Sequence, residues 1–127
     1  MRRHLPGTLY SVSPQIVSLM PSCLVTNERV AWFGRWKYGT FIMVAVAATN
    51  VGDIQTEFDE DLATNTPNDN YPTEKIYERP LEFHKGDDFG HFNFGSTIVL
   101  LYEAPHKMEF EGSKPVRRVK MGKNLLI

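Results

Sequence analysis

Residues 29–49 constrain the fold more than any other part of this 127-residue chain. Arg29 to Trp36 is aromatic and β-branched. Thr40 to Thr49 is apolar at both odd and even positions. A strand buried on one face alternates apolar and polar residues, whereas apolar residues at both parities predict a strand covered on both faces. Trp36-Lys37-Tyr38-Gly39 turns the first run into the second, so a hairpin is the economical arrangement.

The remaining segments read mostly as short strands. Thr8 to Ser13 has strand character and ends at Pro14. Gln15 to Met20 fits one helical turn before Pro21. Gly52 permits a bend, and Asp53 to Phe58 predicts another strand. Residues 59–79 form a long irregular loop, dense in turn formers from Thr64 to Pro72. Loops of that length inside a compact domain are uncommon and usually carry function or motion. Leu81 to His84, Asp88 to Phe94 and Ser96 to Tyr102 return to strand character, with Lys85-Gly86-Asp87-Asp88 as a tight turn. Two short strands are expected in Met108 to Ile127, around Gly112 and Gly122. The expected architecture is mainly β. It is a single domain over residues 1–127, a β-sandwich or partly closed barrel with the long loop between strands.

Composition excludes several classes of function. Apolar residues make up 42% and aromatics 12%, which predicts a globular core and not disorder. A formal net charge of -1 argues against a general nucleic-acid binder. The single cysteine, Cys23, excludes an internal disulfide and a cysteine zinc cluster, and reads as a small apolar filler. No apolar stretch approaches the ~18–20 residues of a membrane helix, the longest, Phe41 to Ala48, being of strand length. Pro6 and Gly7 directly after the basic start prevent an amphipathic presequence helix. The abrupt start predicts a fragment, an alternative start or a partial gene product.

Phe94-Gly95-Ser96-Thr97 offers chemistry. Attack of the Ser96 hydroxyl on the Gly95 carbonyl converts the amide to an ester. Elimination and loss of ammonia then leave a pyruvoyl ketone at the head of the downstream piece. Such a carbonyl condenses with an amine and accepts electrons, as pyridoxal does elsewhere. Glycine on the acyl side lacks a Cβ and reaches backbone geometries closed to other residues. Phe92, Phe94, Ile98 and Val99 are expected to exclude water from the ester. Alone, the three residues would equally suit a turn leading into a strand.

Lys85 to Pro105, running through Gly95-Ser96-Thr97, resembles the processing region of phosphatidylserine decarboxylases. His4-Leu5-Pro6-Gly7-Thr8-Leu9-Tyr10-Ser11-Val12, Thr26-Asn27-Glu28-Arg29-Val30 and Ala48-Thr49-Asn50-Val51-Gly52 are similar to further blocks of that family, in family order. Trp36-Lys37-Tyr38-Gly39 and Asp61-Leu62-Ala63-Thr64-Asn65 favour its eukaryotic, mitochondrial branch. The resemblance implies self-cleavage at Gly95-Ser96. Ser96 serves first as nucleophile, then as precursor of a covalent pyruvoyl group and as the site where substrate amine attaches. Residues 1–95 are then the large chain and 96–127 the small one. It further implies phosphatidylserine as substrate, phosphatidylethanolamine as product, and a peripheral place on the mitochondrial inner membrane. Large and small chain remain partners, a homodimer is left open, and no metal is implied. Two departures stand out. The family usually has Leu where Phe94 stands, and its processing Asp and His, with a further His implicated in decarboxylation, lie upstream of the Leu-Pro-Gly block. The rival reading is therefore a non-catalytic fragment, or a lipid- or protein-binding β-module of the same family.

Other candidates read as scaffold. His91 shares a face with Asn93 and Gly95 and is read as solvated, and His4, His84 and His106 as surface residues. Glu57, Asp59, Glu60 and Asp61 lack the spacing of a calcium loop and read as a solvated acidic turn. Arg117, Arg118, Lys120 and Lys123 suit anionic head groups or a plain polar edge equally. Trp32, Phe33 and Trp36 read as core or interface ahead of a lipid slot.

Overall fold

The structure is a computed structural model and describes residues 1–49, 51, 53–67, 71–106 and 118–123. The hairpin predicted from residues 29–49 is its centre. Strand β2 (Arg29–Trp36) pairs antiparallel with β3 (Gly39–Val46) along their whole length, from Arg29 opposite Val46 to Trp36 opposite Gly39. Gly39 has φ 127°, a left-handed value that glycine adopts without strain, and closes the turn. On either side of the hairpin lie β1 (Arg2–Leu5) and β7 (Thr97–Tyr102), with β5 (Thr73–Lys75) outside β1. The order is β5-β1-β2-β3-β7, all neighbours antiparallel.

A second, two-stranded ribbon of β4 (Ile54–Gln55) and β6 (His91–Phe92) covers one face of this sheet. Val30, Trp32 and Ala45 point from the sheet into the core, where Ile54, Phe58, Phe89 and Phe92 meet them. Phe89 stands edge-on to Trp32 at 5.2 Å and to Phe58 at 4.9 Å, a favoured aromatic geometry. The fold is thus mainly β, an open sheet backed by a small ribbon; among the described residues the sheet does not close into a barrel. The opposite sheet face, with Phe33, Val44 and Leu101, is only partly covered, so β3 is not buried on both sides along its length.

Several expected elements are placed differently. Thr8 to Ser13 is not a strand. Thr8 makes one isolated bridge to Asn27, Ser13 caps helix α1 (Pro14–Leu19), and a short helix α2 (Cys23–Thr26) follows. Of the entry strand that the family resemblance implies over His4 to Val12, only His4 and Leu5 are strand, in β1; hydrophobic alternation does not mark β1, because its inward residues are Arg2 and His4, polar groups buried by pairing and not by apolar character. Strand β5 lies within the predicted loop 59–79, held by backbone pairing to β1. Asp53 to Phe58 and Asp88 to Phe94 shorten to two residues each, and Leu81 to His84 forms no strand. Lys85-Gly86 turns as predicted, with Gly86 at φ 94°. Of the strands expected after Met108, residues 107–117 and 124–127 lie outside the described residues, and 118–123 carry none. Cys23 is fully buried, as a filler should be.

Two further corrections concern charge. His4 is buried, its Nε2 2.8 Å from Glu28 Oε1, and both Glu28 oxygens accept the Asn65 N–H at 3.0 Å. Asp59 is also buried, not a solvated turn residue. Lys75 Nζ donates to its Oδ1 at 2.8 Å, the Tyr77 hydroxyl to Oδ2 at 2.8 Å, and Arg2 Nε stands 3.1 Å from Oδ2. This group ties β1, β5 and the 59–77 loop together.

Gly7 sits where the chain passes between Thr8 and the 26–28 segment, which exchange hydrogen bonds Thr8 N to Thr26 O (3.0 Å) and Glu28 N to Thr8 O (2.8 Å). A Cβ on Gly7 would lie 2.2 Å from Thr26 O and 2.8 Å from Asn27 C, both backbone atoms. Gly7→Ala is therefore expected to destabilise the fold by about 2–3 kcal/mol, through backbone displacement. Thermal unfolding measures this; an unchanged midpoint would mean that the 26–28 backbone yields freely.

Candidate active site

The Gly95-Ser96 bond lies in the short connection between β6 and β7, flanked by the end of β3 and by Val51 and Asp53. Ser96 directly precedes β7, and Thr97 pairs with Val46, the last residue of β3. The Ser96 hydroxyl donates to the Val46 carbonyl. Upstream, the Phe94 N–H donates to Val51 O at 2.9 Å and the Asn93 N–H to Asp53 O at 3.3 Å. The Asn93 side-chain amide also donates to Asp53 Oδ1. The connection is thus anchored on both sides of the bond, by β3 after it and by Val51 and Asp53 before it.

The end of β3 is fixed in turn by Asn27, which is fully buried. Its Nδ2 donates to Ala47 O at 2.9 Å and to Tyr10 O at 2.7 Å, while its Oδ1 accepts from the Thr8 hydroxyl at 2.9 Å and the Tyr10 N–H at 3.0 Å. The Ala47 N–H donates to Glu28 O at 2.8 Å. Because the N–H of residue 47 points to β2, the carbonyl of the same peptide, that of Val46, points to the opposite side, where Ser96 meets it. The Thr49 hydroxyl reaches Leu9 O. The sequence blocks 4–12, 26–30 and 48–52 carry no roles by pattern alone. Thr8, Leu9, Tyr10, Asn27 and Thr49 from these blocks meet around the end of β3 that holds Ser96.

The surroundings of the bond are more open than expected. Gly95 is exposed, Phe94 is 70% exposed and Ile98 45%, so these apolar side chains do not shield it here. Phe92 packs on the core and Val99 is half-buried. Gly95 is not in the left-handed region, and a Cβ there would touch nothing within 4 Å. Neither steric room nor backbone conformation demands glycine in the folded chain; any demand arises in the geometry of attack.

The histidines distribute as follows. His91, on β6 opposite Gln55, is exposed, in keeping with a solvated face. His84 and His106 are exposed as well. His4 is on β1, opposite Val30, and three strand spacings separate β1 from β7, about 14 Å at ~4.8 Å each. That is far beyond hydrogen-bond reach of Ser96. Asp53, which sequence reading missed, is the carboxylate beside the bond. Its oxygens already accept from Asn93 Nδ2 and, at 2.5 Å, from Gln55 Nε2, so it acts as a positioning group. No local signal marks it, since its partner is forty residues away. Arg29, paired with Val46 in the sheet, donates from Nη1 to Asn27 O at 2.9 Å, and burial lowers its pKa. Among the described residues no cluster of three or more His, Cys, Asp or Glu could hold a metal ion, and no helix is long and apolar enough to cross a membrane.

An open sheet backed by a ribbon, with a Gly-Ser bond pinned at the head of its edge strand, is the frame on which the comparisons bear. The profile of the family described as phosphatidylserine decarboxylase matches residues 1–127. The mitochondrial phosphatidylserine decarboxylase proenzyme 1 of Saccharomyces cerevisiae is 40% identical over 98% of this chain and 27% of its own length. The mitochondrial proenzyme of Rattus norvegicus is 41% identical over 98% of this chain and 31% of its own. That of Caenorhabditis elegans is 44% identical over 85% of this chain and 29% of its own. The chain belongs to the phosphatidylserine decarboxylase family. It spans less than a third of the length of these curated relatives. No solved structure matches it.

Proposed function

We propose that this chain is the pyruvoyl-forming portion of a mitochondrial-type phosphatidylserine decarboxylase, working peripherally on the inner membrane, and that it is cut between Gly95 and Ser96. In the first step Ser96 Oγ bonds to the Gly95 carbonyl carbon, the peptide C–N bond breaks, and the Ser96 nitrogen becomes a free amine. Elimination then removes the Ser96 Cα proton and breaks the Cβ–Oγ bond, which leaves Gly95 with a free carboxylate and residue 96 as a dehydroalanine whose enamine tautomerises to an imine. Water replaces the nitrogen, which departs as ammonia. The resulting pyruvoyl group supplies an electron-accepting carbonyl for the amine of the lipid substrate.

The observation that carries this reading is the anchoring of Ser96 at the head of β7. Six residue pairs between β7 and β3 hold the downstream piece in the sheet whether or not the bond before it is intact. Val51 and Asp53 hold the upstream piece. The Val46 carbonyl polarises the Ser96 O–H but is no base, so a base must take the proton from it. That same observation favours a second reading, a family member that needs another polypeptide to supply the base.

Intact mass and a denaturing gel distinguish them. Cleavage is expected to yield pieces 1–95 and 96–127, the smaller with a blocked N-terminus. A persistent single chain of 14.5 kDa would sink self-sufficient maturation and leave the second reading.

A further inference from the structure

The five-stranded sheet ends in two unlike edges. At one, β5 is three residues long, follows Pro72, and carries Glu74 and Lys75. Both charges are engaged, Glu74 Oε1 3.2 Å from Arg3 Nε and Lys75 Nζ 2.8 Å from Asp59 Oδ1. Short length, a proline and charged side chains keep a sheet edge from pairing with other chains. At the other edge, β7 is six residues long, Thr97-Ile98-Val99-Leu100-Leu101-Tyr102, with no charge and no proline. Its register against β3 runs without a bulge. Its side chains are exposed on both faces, Ile98 at 45% and Leu100 at 36% on the face of Ala45 and Met43, Leu101 at 53% on the other.

The register also says which backbone groups of β7 lie open. The Glu103 N–H donates to Thr40 O at 3.0 Å, so residue 103 faces β3. Facing and averted residues alternate along an antiparallel pair, so Leu101, Val99 and Thr97 also turn their N–H and C=O towards β3. Ile98 and Leu100 turn theirs outward. Among the described residues no strand lies beyond β7, and the N–H and C=O groups of Ile98 and Leu100 take no backbone partner. The middle of β7 is therefore an open ladder set between apolar side chains, without any of the safeguards that β5 carries.

We infer that a second copy of this chain pairs antiparallel with β7 about a two-fold axis at Val99. Ile98 then stands opposite Leu100 of the second copy, and Leu100 opposite its Ile98. Each of these pairs exchanges two N–H···O bonds, and the two sheets become one. Two observations favour a second copy over an unlike chain. The strand offers no charge for a partner to match, so its own apolar sequence is its complement. A two-fold axis also closes the contact with one copy, and the joined sheet then ends in two β5 edges, both short and charged. The contact is small beside the ~20–30 residues a side of a standard interface, so the dimer is expected to be weak and reversible. Ser96 lies two residues before Ile98, so the second strand ends alongside the Gly95-Ser96 bond and covers the flank that exposed Ile98 leaves open. The pairing goes beyond the cleavage proposed above and does not depend on it.

Sedimentation of the full chain tests this, with Ser96→Ala alongside so that cleavage and pairing read out separately. The expected result for both is a concentration-dependent step from 14.5 kDa to twice that mass. Leu100→Pro removes an N–H that points away from β3, a position where an edge strand tolerates proline, so the fold should hold. Two hydrogen bonds are lost per dimer, and the dissociation constant should rise roughly thirtyfold or more. Leu100→Lys leaves the backbone whole and should disperse the dimer too. Amide exchange reads the register: Ile98 and Leu100 should gain protection as concentration rises, whereas Val99 and Leu101 are protected throughout. A chain that stays monomeric as concentration rises, or a dimer indifferent to both Leu100 variants, would overturn the inference. So would an assembly that grows past two copies, or protection of Ile98 and Leu100 that does not change with concentration.

Discussion

Ser96→Ala is expected to abolish cleavage completely, while His91→Ala leaves it close to the unsubstituted rate. Alanine has no oxygen to form the ester and none to lose in the elimination, so neither the cut nor the blocked N-terminus can arise. The substitution should be mild structurally. It removes one hydrogen bond, to Val46 O, worth about 1 kcal/mol, while the β7 pairing remains. His91 by contrast is exposed on a two-residue strand and is paired by backbone to Gln55. The measurement is the fraction of chain cut with time, in whatever setting the unsubstituted chain matures, with circular dichroism to confirm folding. Cleavage of the Ser96→Ala chain, or equal loss from His91→Ala in a folded protein, would remove Ser96 from the role given to it or restore His91 to one.

Asp59→Asn should have the largest effect on stability. Burial of Asp59 opposes its charge, yet hydrogen bonds from Lys75 and Tyr77, with the charges of Arg2 and Lys75, outweigh it and hold the carboxyl below its ordinary value. The same bond to Asp59, with one to Asp61, raises the pKa of Lys75. Removing the anion leaves Arg2 buried at 4% exposure without its counter-charge. Breaking a buried pair in this way costs about 3–5 kcal/mol, or roughly 10–20 °C of melting temperature in a domain of this size. Asp61→Asn is the control: its contact with Lys75 is 2.5 Å, but its side chain is 75% exposed, and such pairs contribute under about 1 kcal/mol.

The pH dependence follows in sign. A folded pKa below the unfolded one means stabilisation present above the unfolded value near ~4 and lost as pH falls through the folded value. Asp59→Asn should erase that acid limb, so the gap between variant and parent narrows at low pH. At the alkaline end, burial first and the bond to Asp59 second raise Tyr77 to about 12. Its contribution is present below the ordinary tyrosine value of ~10 and fades as pH rises from there towards 12. Chemical denaturation across pH checks both limbs; a gap constant from neutral to strongly acid pH would show that Asp59 is not held as an anion.

The parts legible in the sequence were those with local cause. The hairpin of β2 and β3 was readable because two apolar, β-prone runs flank a turn, and the structure pairs them from Arg29–Val46 to Trp36–Gly39. The helical turn before Pro21 and the turn at Lys85-Gly86 have local causes too, in a serine cap and a glycine at positive φ. Family membership was legible because blocks in fixed order are a property of the chain alone, as the match over residues 1–127 bears out.

What was not legible depends on partners distant in sequence. β1 and β5 have no apolar alternation. They are strands because Arg2, His4 and Lys75 find Asp59 and Glu28, residues 16 to 57 positions away, and a window of ten residues holds no trace of such pairings. For the same reason His4 and Asp59 read as surface groups and proved buried. The Gly-Ser bond itself was visible as a pattern, but its anchoring was not. By itself the sequence determined the central hairpin, the mainly β class and the family, and it singled out Gly95-Ser96 as the bond for the proposed chemistry. Only the tertiary structure decided that Asn27 and Glu28 fix the end of β3, that Val46 and Asp53 grip the two sides of that bond, and that Phe94 stands exposed beside it. The reason is that burial, pairing and exposure belong to contacts across the chain, whereas pattern and residue type belong to its order.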